Sequence, residues 1–94
     1  MSVIGPSTVL RRSGEPLSAP LGEALAMMDV DAGRYYILDD VATFVWHRLA
    51  TPTSVADLVA ELQRRYDVER ERCEADVLPF LRRLHEKRLV LVEA

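Results

Sequence analysis

The stretch from Gly33 to Leu49 constrains the fold more than any other, because it places a strand directly before a capped helix. Its first part, Arg34–Leu38, reads Arg-Tyr-Tyr-Ile-Leu, and aromatic and β-branched side chains of this kind favour a pleated, half-buried strand. Asp39 or Asp40 follows, and a carboxylate there can accept hydrogen bonds from the first free N–H groups of a helix. A strand that runs straight into a helix fixes the angle between the sheet and the helices.

Two further strands are predicted earlier in the chain, at Ser7–Arg12 and Glu23–Asp29. A turn at Val30–Gly33 follows the second, and its glycine can adopt a positive φ. Ser13–Pro20 contains one glycine and two prolines and is predicted to be a loop. The first 38 residues are therefore expected to form an antiparallel meander. Because no strong strand follows Leu38, the last strand of the meander is expected to be a free sheet edge.

Apolar residues at helical spacing predict three helices after the strands. Their expected ranges are Asp40–Ala50, Ser54–Tyr66 with Ser54 as the N-cap, and Glu69–Lys87. Pro79 lies inside the third range and removes one N–H donor, so a kink or a helix in two pieces is expected. Leu89–Val92 is an apolar tail that either closes the core or adds a minor strand. The predicted fold is α+β and winged helix-turn-helix-like, with a three-stranded antiparallel sheet followed by three α-helices.

The composition predicts one globular domain over residues 1–94, in which residues 1–22 are a less ordered lead-in with a first short strand. The net charge is −3 and the basic residues are spread among acids, which argues against a nucleic-acid partner. The chain shows no signal-peptide pattern and no apolar run of membrane-spanning length, so no membrane association is expected. The single cysteine excludes an internal disulfide and fits a cytoplasmic location.

Catalysis is poorly supported by the residue types present. Cys73 is the one soft nucleophile, and it lies on the apolar stripe of the third helix. His85 is twelve residues further along that helix, roughly 18 Å away, while His47 on another helix could approach. One cysteine and two histidines at unrelated spacings do not form a zinc pattern, and the glycines are isolated. We therefore predict no catalytic residues, no metal and no cofactor, with a buried cysteine and two surface histidines.

The third helix is acidic in its first half and basic in its second, which complements the helix dipole. A winged helix often binds DNA through this helix, but the half that would enter the groove carries Glu69, Glu71, Glu74 and Asp76. A winged-helix DNA-binding regulator is therefore only an alternative. Asp76 and Arg83 share a face beside the apolar stripe, where a bound peptide could meet both. A solvated helix flank explains the same spacing equally well.

Peptide capture is the leading interpretation of the strand edge. A free edge offers N–H and C=O groups with which an extended peptide can pair as an added strand. Pockets between that edge and the third helix would then supply selectivity. Tyr35 and Tyr36 are adjacent, so at most one of them faces the helices, and the alternation does not say which. Trp46 lies on a helical stripe and is expected in the core.

These features resemble PqqD-like domains, the recognition elements of ribosomally made, post-translationally modified peptides (RiPP recognition elements). The resemblance covers about residues 23–92 and is carried by Gly33–Asp39, Ala42, Trp46, Leu49, Ser54–Tyr66, Asp76-Val77, Phe80-Leu81 and Leu84. Asp39 stands where the family often has Asn, a change that keeps the capping role. Lys87-Arg88-Leu89 stands where a glycine before the leucine is common.

The resemblance implies a non-catalytic protein that binds the leader segment of a precursor peptide. In the family the leader adds as a strand to the third strand and packs against the third helix. The corresponding peptide-binding residues here are Arg34, Tyr35, Tyr36, Ile37, Leu38, Asp76, Phe80, Arg83 and Leu84.

Free-standing domains of this length resemble the recognition subunit of split lasso-peptide leader peptidases. Those subunits deliver the precursor to a separate cysteine-protease subunit and to a macrolactam-forming cyclase. This assignment is favoured because the chain is small and separate with a long lead-in. The alternative is a PqqD-like peptide chaperone for another modified-peptide pathway, such as pyrroloquinoline quinone synthesis. A structural subunit that contacts its enzyme through Leu89–Val92 is a hypothesis from another class, and an enzymatic role for Cys73 is the weakest.

Overall fold

The structure is a computed structural model that describes residues 4–14, 16–30 and 32–93. The described residues form six strands and three helices. In chain order these are β1 Val9–Arg12, β2 Leu17–Leu21, β3 Ala24–Asp29, β4 Arg34–Leu38, α1 Asp40–Arg48, β5 Thr53–Ser54, α2 Val55–Tyr66, α3 Arg70–Glu86 and β6 Val90–Glu93. The predicted α+β class, with a three-stranded antiparallel sheet and three helices, is confirmed.

The antiparallel meander consists of β2, β3 and β4 in that spatial order, and we call it the wing sheet. Its two hairpins turn at Gly22 and Gly33, which have φ values of 63° and 65°. A left-handed backbone of this kind is accessible to glycine without a Cβ clash. At the second turn, the Asp29 carboxylate accepts a hydrogen bond from the Ala32 N–H at 3.2 Å. The predicted strand Arg34–Leu38 is thus the last strand of the meander, as the sequence indicated.

One loop prediction and the placement of one predicted strand were wrong. Ser13–Pro20 is not all loop, because Leu17–Leu21 forms β2 and pairs with β3 along its whole length. Pro20 is compatible with this strand because β2 lies at the edge of the sheet, where a missing N–H donor is tolerated. The first predicted strand does not join the meander either. It is β1, the centre of a second sheet of order β5-β1-β6.

The helix starts follow the predicted caps. The Asp39 carboxylate accepts from the Ala42 N–H at 2.8 Å at the start of α1. The Ser54 hydroxyl accepts from the Asp57 N–H at 3.1 Å at the start of α2. Each of these bonds satisfies one of the otherwise free N–H groups of a first helical turn. α2 ends at Tyr66, and its C-cap Asp67 adopts a left-handed conformation with φ 50°.

α3 runs without interruption through Pro79, so the predicted division into two pieces does not occur. Pro79 has no N–H to donate to the carbonyl of Ala75. Both residues lie on the exposed side of α3, where water can hydrogen-bond the freed carbonyl. α3 is therefore continuous, and the predicted kink at Pro79 stays a prediction.

The core lies between the inner face of the wing sheet, the second sheet and the three helices. Its fully buried side chains include Leu10, Met27, Val45, Trp46, Leu49, Val55, Leu58, Leu62, Leu81 and Val90. The predicted core position of Trp46 is confirmed, and the Arg12 guanidinium lies 5.1 Å from its ring centroid. The tail does both things that were predicted: Leu89 and Val90 are buried, and β6 pairs with β1. None of the helices in the described ranges is long and apolar enough to cross a membrane.

Candidate functional site

β4 is an open edge of the wing sheet. It pairs antiparallel with β3 on one side, and on its other side it meets no strand in the part of the chain that the structure describes. The strand that could have covered it, β6, pairs with β1 in the other sheet. The outer N–H and C=O groups of Arg34–Leu38 are therefore available to an incoming strand.

The two faces of β4 differ in burial, which places the two tyrosines. Leu38 is 5% exposed and Tyr36 is half-buried against the core. Tyr35 and Ile37 point to the opposite face and are 72% and 66% exposed. The register agrees, because Tyr36 lies opposite Met27, which is 1% exposed. Tyr36 is thus the tyrosine that faces the helices.

Two adjoining hollows lie between β4, the start of α1 and α3, and we call them together the edge groove. The first has a volume of about 370 Å³ and is lined by Tyr35, Tyr36, Ile37, Leu38, Asp39, Ala42, Phe80, Arg83, Leu84 and Lys87. The second has a volume of about 280 Å³ and is lined by Asp39, Val41, Ala42, Val45, Asp76, Val77, Phe80 and Arg83. The first hollow borders β4, whereas the second lies between α1 and α3 beyond the end of the strand, and the two adjoin because they share Asp39, Ala42, Phe80 and Arg83.

The structure brings together most of the residues that the sequence singled out. Tyr35, Tyr36, Ile37, Leu38, Phe80, Arg83 and Leu84 line the first hollow, and Asp76 lines the second. Leu38 and Leu84 are almost fully buried, so they form the floor of the groove and belong to the core as well. Arg34 lines neither hollow and lies exposed at the start of β4.

The sequence reasoning missed Lys87 and did not assign Ala42 or Asp39 to the site. Lys87 could have been found, because Phe80, Arg83 and Lys87 follow one another at spacings of three and four residues and so share a helix face. Ala42 lies on the first turn of α1 and lines both hollows. A methyl side chain at that position leaves space between the strand edge and α3.

The edge groove has charges of opposite sign at its two ends. Lys87 lines only the first hollow and Asp76 lines only the second, while Arg83 and Asp39 line both. The Lys87 ammonium lies 5.8 Å from the centroid of the Tyr36 ring, within the range of a cation–π contact. The Tyr36 hydroxyl is buried and has no hydrogen-bond partner among the described residues. The first hollow therefore combines apolar side chains with the cation of Lys87.

Cys73 is unsuited to nucleophilic chemistry. It is 4% exposed, and its Sγ lies 4.0 Å from the carbonyl oxygen of Val59. Burial raises the pKa of the Cys73 thiol, and the nearby carboxylates of Asp76 and Glu74 raise it further. A raised pKa keeps the thiol protonated at neutral pH, whereas attack requires the thiolate.

The two histidines, predicted to lie at the surface, differ in exposure. His47 is exposed, as predicted, whereas His85 is half-buried. Within residues 4–14, 16–30 and 32–93, no group of three or more His, Cys, Asp and Glu side chains could hold a metal ion.

Comparisons with known proteins agree with this geometry. The family model of coenzyme PQQ synthesis protein D (PqqD) matches residues 24–90. A solved structure, TbiB1 in complex with the TbiA(beta) leader peptide, superposes with a TM-score of 0.76 at 27% sequence identity. That match covers 89% of this chain and 98% of the other. No curated protein sequence matches the chain. The resemblance stated from the sequence is therefore confirmed, and the chain belongs to the PqqD family.

Proposed function

We propose that this chain binds the leader segment of a ribosomally made precursor peptide and catalyses no reaction on it. The observation that carries the proposal is the juxtaposition of the open edge of β4 with the edge groove. Support comes from the similar TbiB1 structure, which contains a leader peptide. In this proposal the leader adds as a strand beside Arg34–Leu38 and sends side chains into the groove.

The two parts of the site contribute differently to binding. Backbone pairing adds about 0.5–1.5 kcal/mol for each hydrogen bond and accepts many sequences. An apolar leader side chain placed over Phe80 and Leu84 would add about 1.5–3 kcal/mol and would select for its own shape. Selectivity therefore resides in the groove, whereas the strand edge supplies general affinity.

The charges at the ends of the groove give the leader a preferred direction. A leader carboxylate is favoured near Lys87, and a leader cation is favoured near Asp76. Arg83 lines both hollows and can pair with an acidic side chain between them. A leader that is acidic at one end and basic at the other would bind in one direction along β4.

In this proposal, processing takes place on other proteins. We place the chain as the recognition subunit that delivers the precursor to a separate cysteine protease and to a macrolactam-forming cyclase of a lasso-peptide pathway, in the cytoplasm. The raised pKa of the buried Cys73 thiol supports this division of labour, because a protonated thiol is poorly suited to attack a peptide bond. The four residues proposed to contact the leader from α3 are Asp76, Phe80, Arg83 and Leu84.

Titration of a fluorescently labelled leader peptide tests the proposal. The peptide is taken from the precursor gene beside this one, and its control is a scrambled peptide of the same composition and charge. We expect saturable binding in the micromolar range or tighter for the leader and at least about tenfold weaker binding for the scrambled peptide. Equal binding of the two peptides would contradict the proposal. So would the absence of leader binding by a protein whose cooperative thermal unfolding shows that it is folded.

Reconstitution tests the delivery step separately. The chain is added to the purified protease and cyclase encoded beside the precursor, and the rate of leader removal is measured. We expect the rate to rise with chain concentration and to saturate once the leader is bound. If the chain accelerates only a radical enzyme from its own gene neighbourhood, the leader-binding proposal holds and the lasso assignment fails.

A further inference from the structure

β3 is apolar at every position from Ala24 to Met28, which is unusual for a strand with one face in water. Antiparallel strands of that kind normally alternate between apolar and polar residues. Leu25 and Met27 point into the core and are 6% and 1% exposed. Ala24, Ala26 and Met28 therefore point away from the helices, where polar residues would be the usual choice.

The neighbouring strands continue this pattern. Residues directly opposite each other in a sheet point to the same face. The register gives three rows across the far side of the wing sheet, Leu17–Met28–Tyr35, Ala19–Ala26–Ile37 and Leu21–Ala24. We call these eight residues the outer face, and none of them carries a charge.

The outer face is exposed where it is most apolar. Leu17 and Leu21 are 63% and 54% exposed, and Tyr35 and Ile37 exceed both. A shallow depression of about 220 Å³ lies among Leu17, Ala19, Ala26, Met28 and Tyr35. A depression of this kind accepts a protruding apolar side chain from a partner, and a flexible methionine at its base adapts to the shape.

The size of the outer face indicates how it would be used. Its exposed apolar area is on the order of 500 Å², at the upper end of what a monomer presents. A stable protein–protein interface buries about 800 Å² on each partner. A strand added beside β4 would place its alternate side chains next to Tyr35 and Ile37, in continuation of the same face. The face therefore approaches interface size only when that strand is bound.

We propose that the outer face, extended by the bound leader strand, is the docking surface for the enzyme that processes the precursor. This inference rests on the function proposed above. The partner is a protein with an apolar, uncharged contact surface and one protruding apolar side chain for the depression. Because the leader strand forms part of the surface, leader binding and enzyme binding strengthen each other by the same factor.

A matched pair of variants tests the docking surface. Leu17→Glu places a charge on the outer face, on the strand furthest from β4. Leu91→Glu makes the same change on β6 at a leucine that is 40% exposed, and it also tests the tail as an enzyme contact. Leu21→Glu serves as a second outer-face variant. The affinity of each protein for the labelled leader is measured first. Its affinity for each enzyme encoded beside the precursor is then measured with and without saturating leader.

We expect the leader to tighten enzyme binding by the wild-type chain at least about tenfold. Both outer-face variants should lower enzyme affinity by about tenfold or more, with leader affinity changed less than about twofold. Leu91→Glu should change neither affinity by more than about twofold. Retained leader binding shows that each variant is folded.

The outcomes separate the two proposals. Failure of the wild-type chain to bind the leader overturns the proposed function, and the docking inference with it. Normal leader binding with unchanged enzyme affinity in the outer-face variants overturns the docking inference alone, as does a loss confined to Leu91→Glu. Sedimentation of the wild-type chain with and without leader tests whether a second copy of the chain, and not an enzyme, binds the outer face. A dimer that Leu17→Glu abolishes would assign the outer face to a second copy and overturn the inference.

Discussion

The wing sheet has two outer edges, and they differ in what lies beside them. β2 contains Pro20, whose ring nitrogen has no hydrogen to donate, and all five of its residues are exposed. β4 contains no proline and borders a groove that is walled by α1 and α3. The comparison shows that an open edge alone is a general site for strand pairing, whereas an edge beside a groove can select its partner.

The same physics accounts for the proline on one edge and its absence on the other. Unpaired N–H and C=O groups at a sheet edge pair with almost any extended chain, which leads to aggregation. A proline removes one donor from such a ladder at little cost when it lies at the edge. In the proposed function the complete ladder at β4 binds the leader, and the groove beside it limits which chains remain bound.

The largest effect should come from the apolar wall of the groove. Phe80→Ala removes an aromatic side chain that lines both hollows and should weaken leader binding by about tenfold or more, the loss of about 1.5–3 kcal/mol of apolar contact. Leu78→Ala is the matched control, since Leu78 is also half-buried on α3 but lies outside the lining of the groove. Anisotropy titrations with the labelled leader measure both affinities.

Thermal unfolding of the same two variants distinguishes a binding effect from a folding effect. Both side chains pack against the core, so both variants should lose similar stability. If Phe80→Ala unfolds at the assay temperature while Leu78→Ala does not, Phe80 belongs to the core and its assignment to the leader site is wrong. Equal leader affinities in two folded variants would also remove Phe80 from the site.

A smaller effect is expected from the groove charges. Arg83→Glu reverses an exposed charge that lines both hollows and should weaken binding of an acidic leader by about two- to fivefold at low salt. The loss should shrink as ionic strength rises, because exposed charges are screened. Arg72→Glu, an exposed position on the same helix outside the groove lining, should leave affinity unchanged. Equal losses in both variants would indicate a general charge effect.

The smallest effect on leader binding should come from the other edge. Pro20→Val restores an N–H donor to β2 and makes its ladder complete. We expect leader affinity to change by less than about twofold, because β2 does not line the groove. Self-association measured by sedimentation should increase instead, as expected for an unprotected edge. Tighter leader binding in this variant would show that the leader uses β2.

The helices could be predicted because their signals are local. Asp39 caps α1 and Ser54 caps α2, and each side chain accepts a hydrogen bond from an N–H group only three residues further along the chain. β2 could not be predicted, because Pro16 and Pro20 indicate a loop unless the strand is known to lie at an edge. The pairing of β1 with β6 joins opposite ends of the chain, and no local pattern specifies it.

Part of the candidate site could be predicted from the sequence for a similar reason. The strand and the helix that border the edge groove were both evident in sequence, and so were Phe80 and Arg83. The register between β3 and β4 decides which tyrosine faces the helices. The fact that Tyr35 and Tyr36 are neighbours in the sequence does not give that register. The apolar outer face required the register of all three strands, although the continuous apolar run of β3 was a visible sign of it.

Amide hydrogen exchange of the chain with and without the leader peptide tests the central claim most directly. We expect alternate amides of Arg34–Leu38, those that point away from β3, to become protected when the leader is added. The amides of Leu17–Leu21 should exchange at the same rate in both samples. Protection at Leu17–Leu21, or an unchanged rate throughout Arg34–Leu38 with the leader bound, would contradict leader recognition by strand addition to β4.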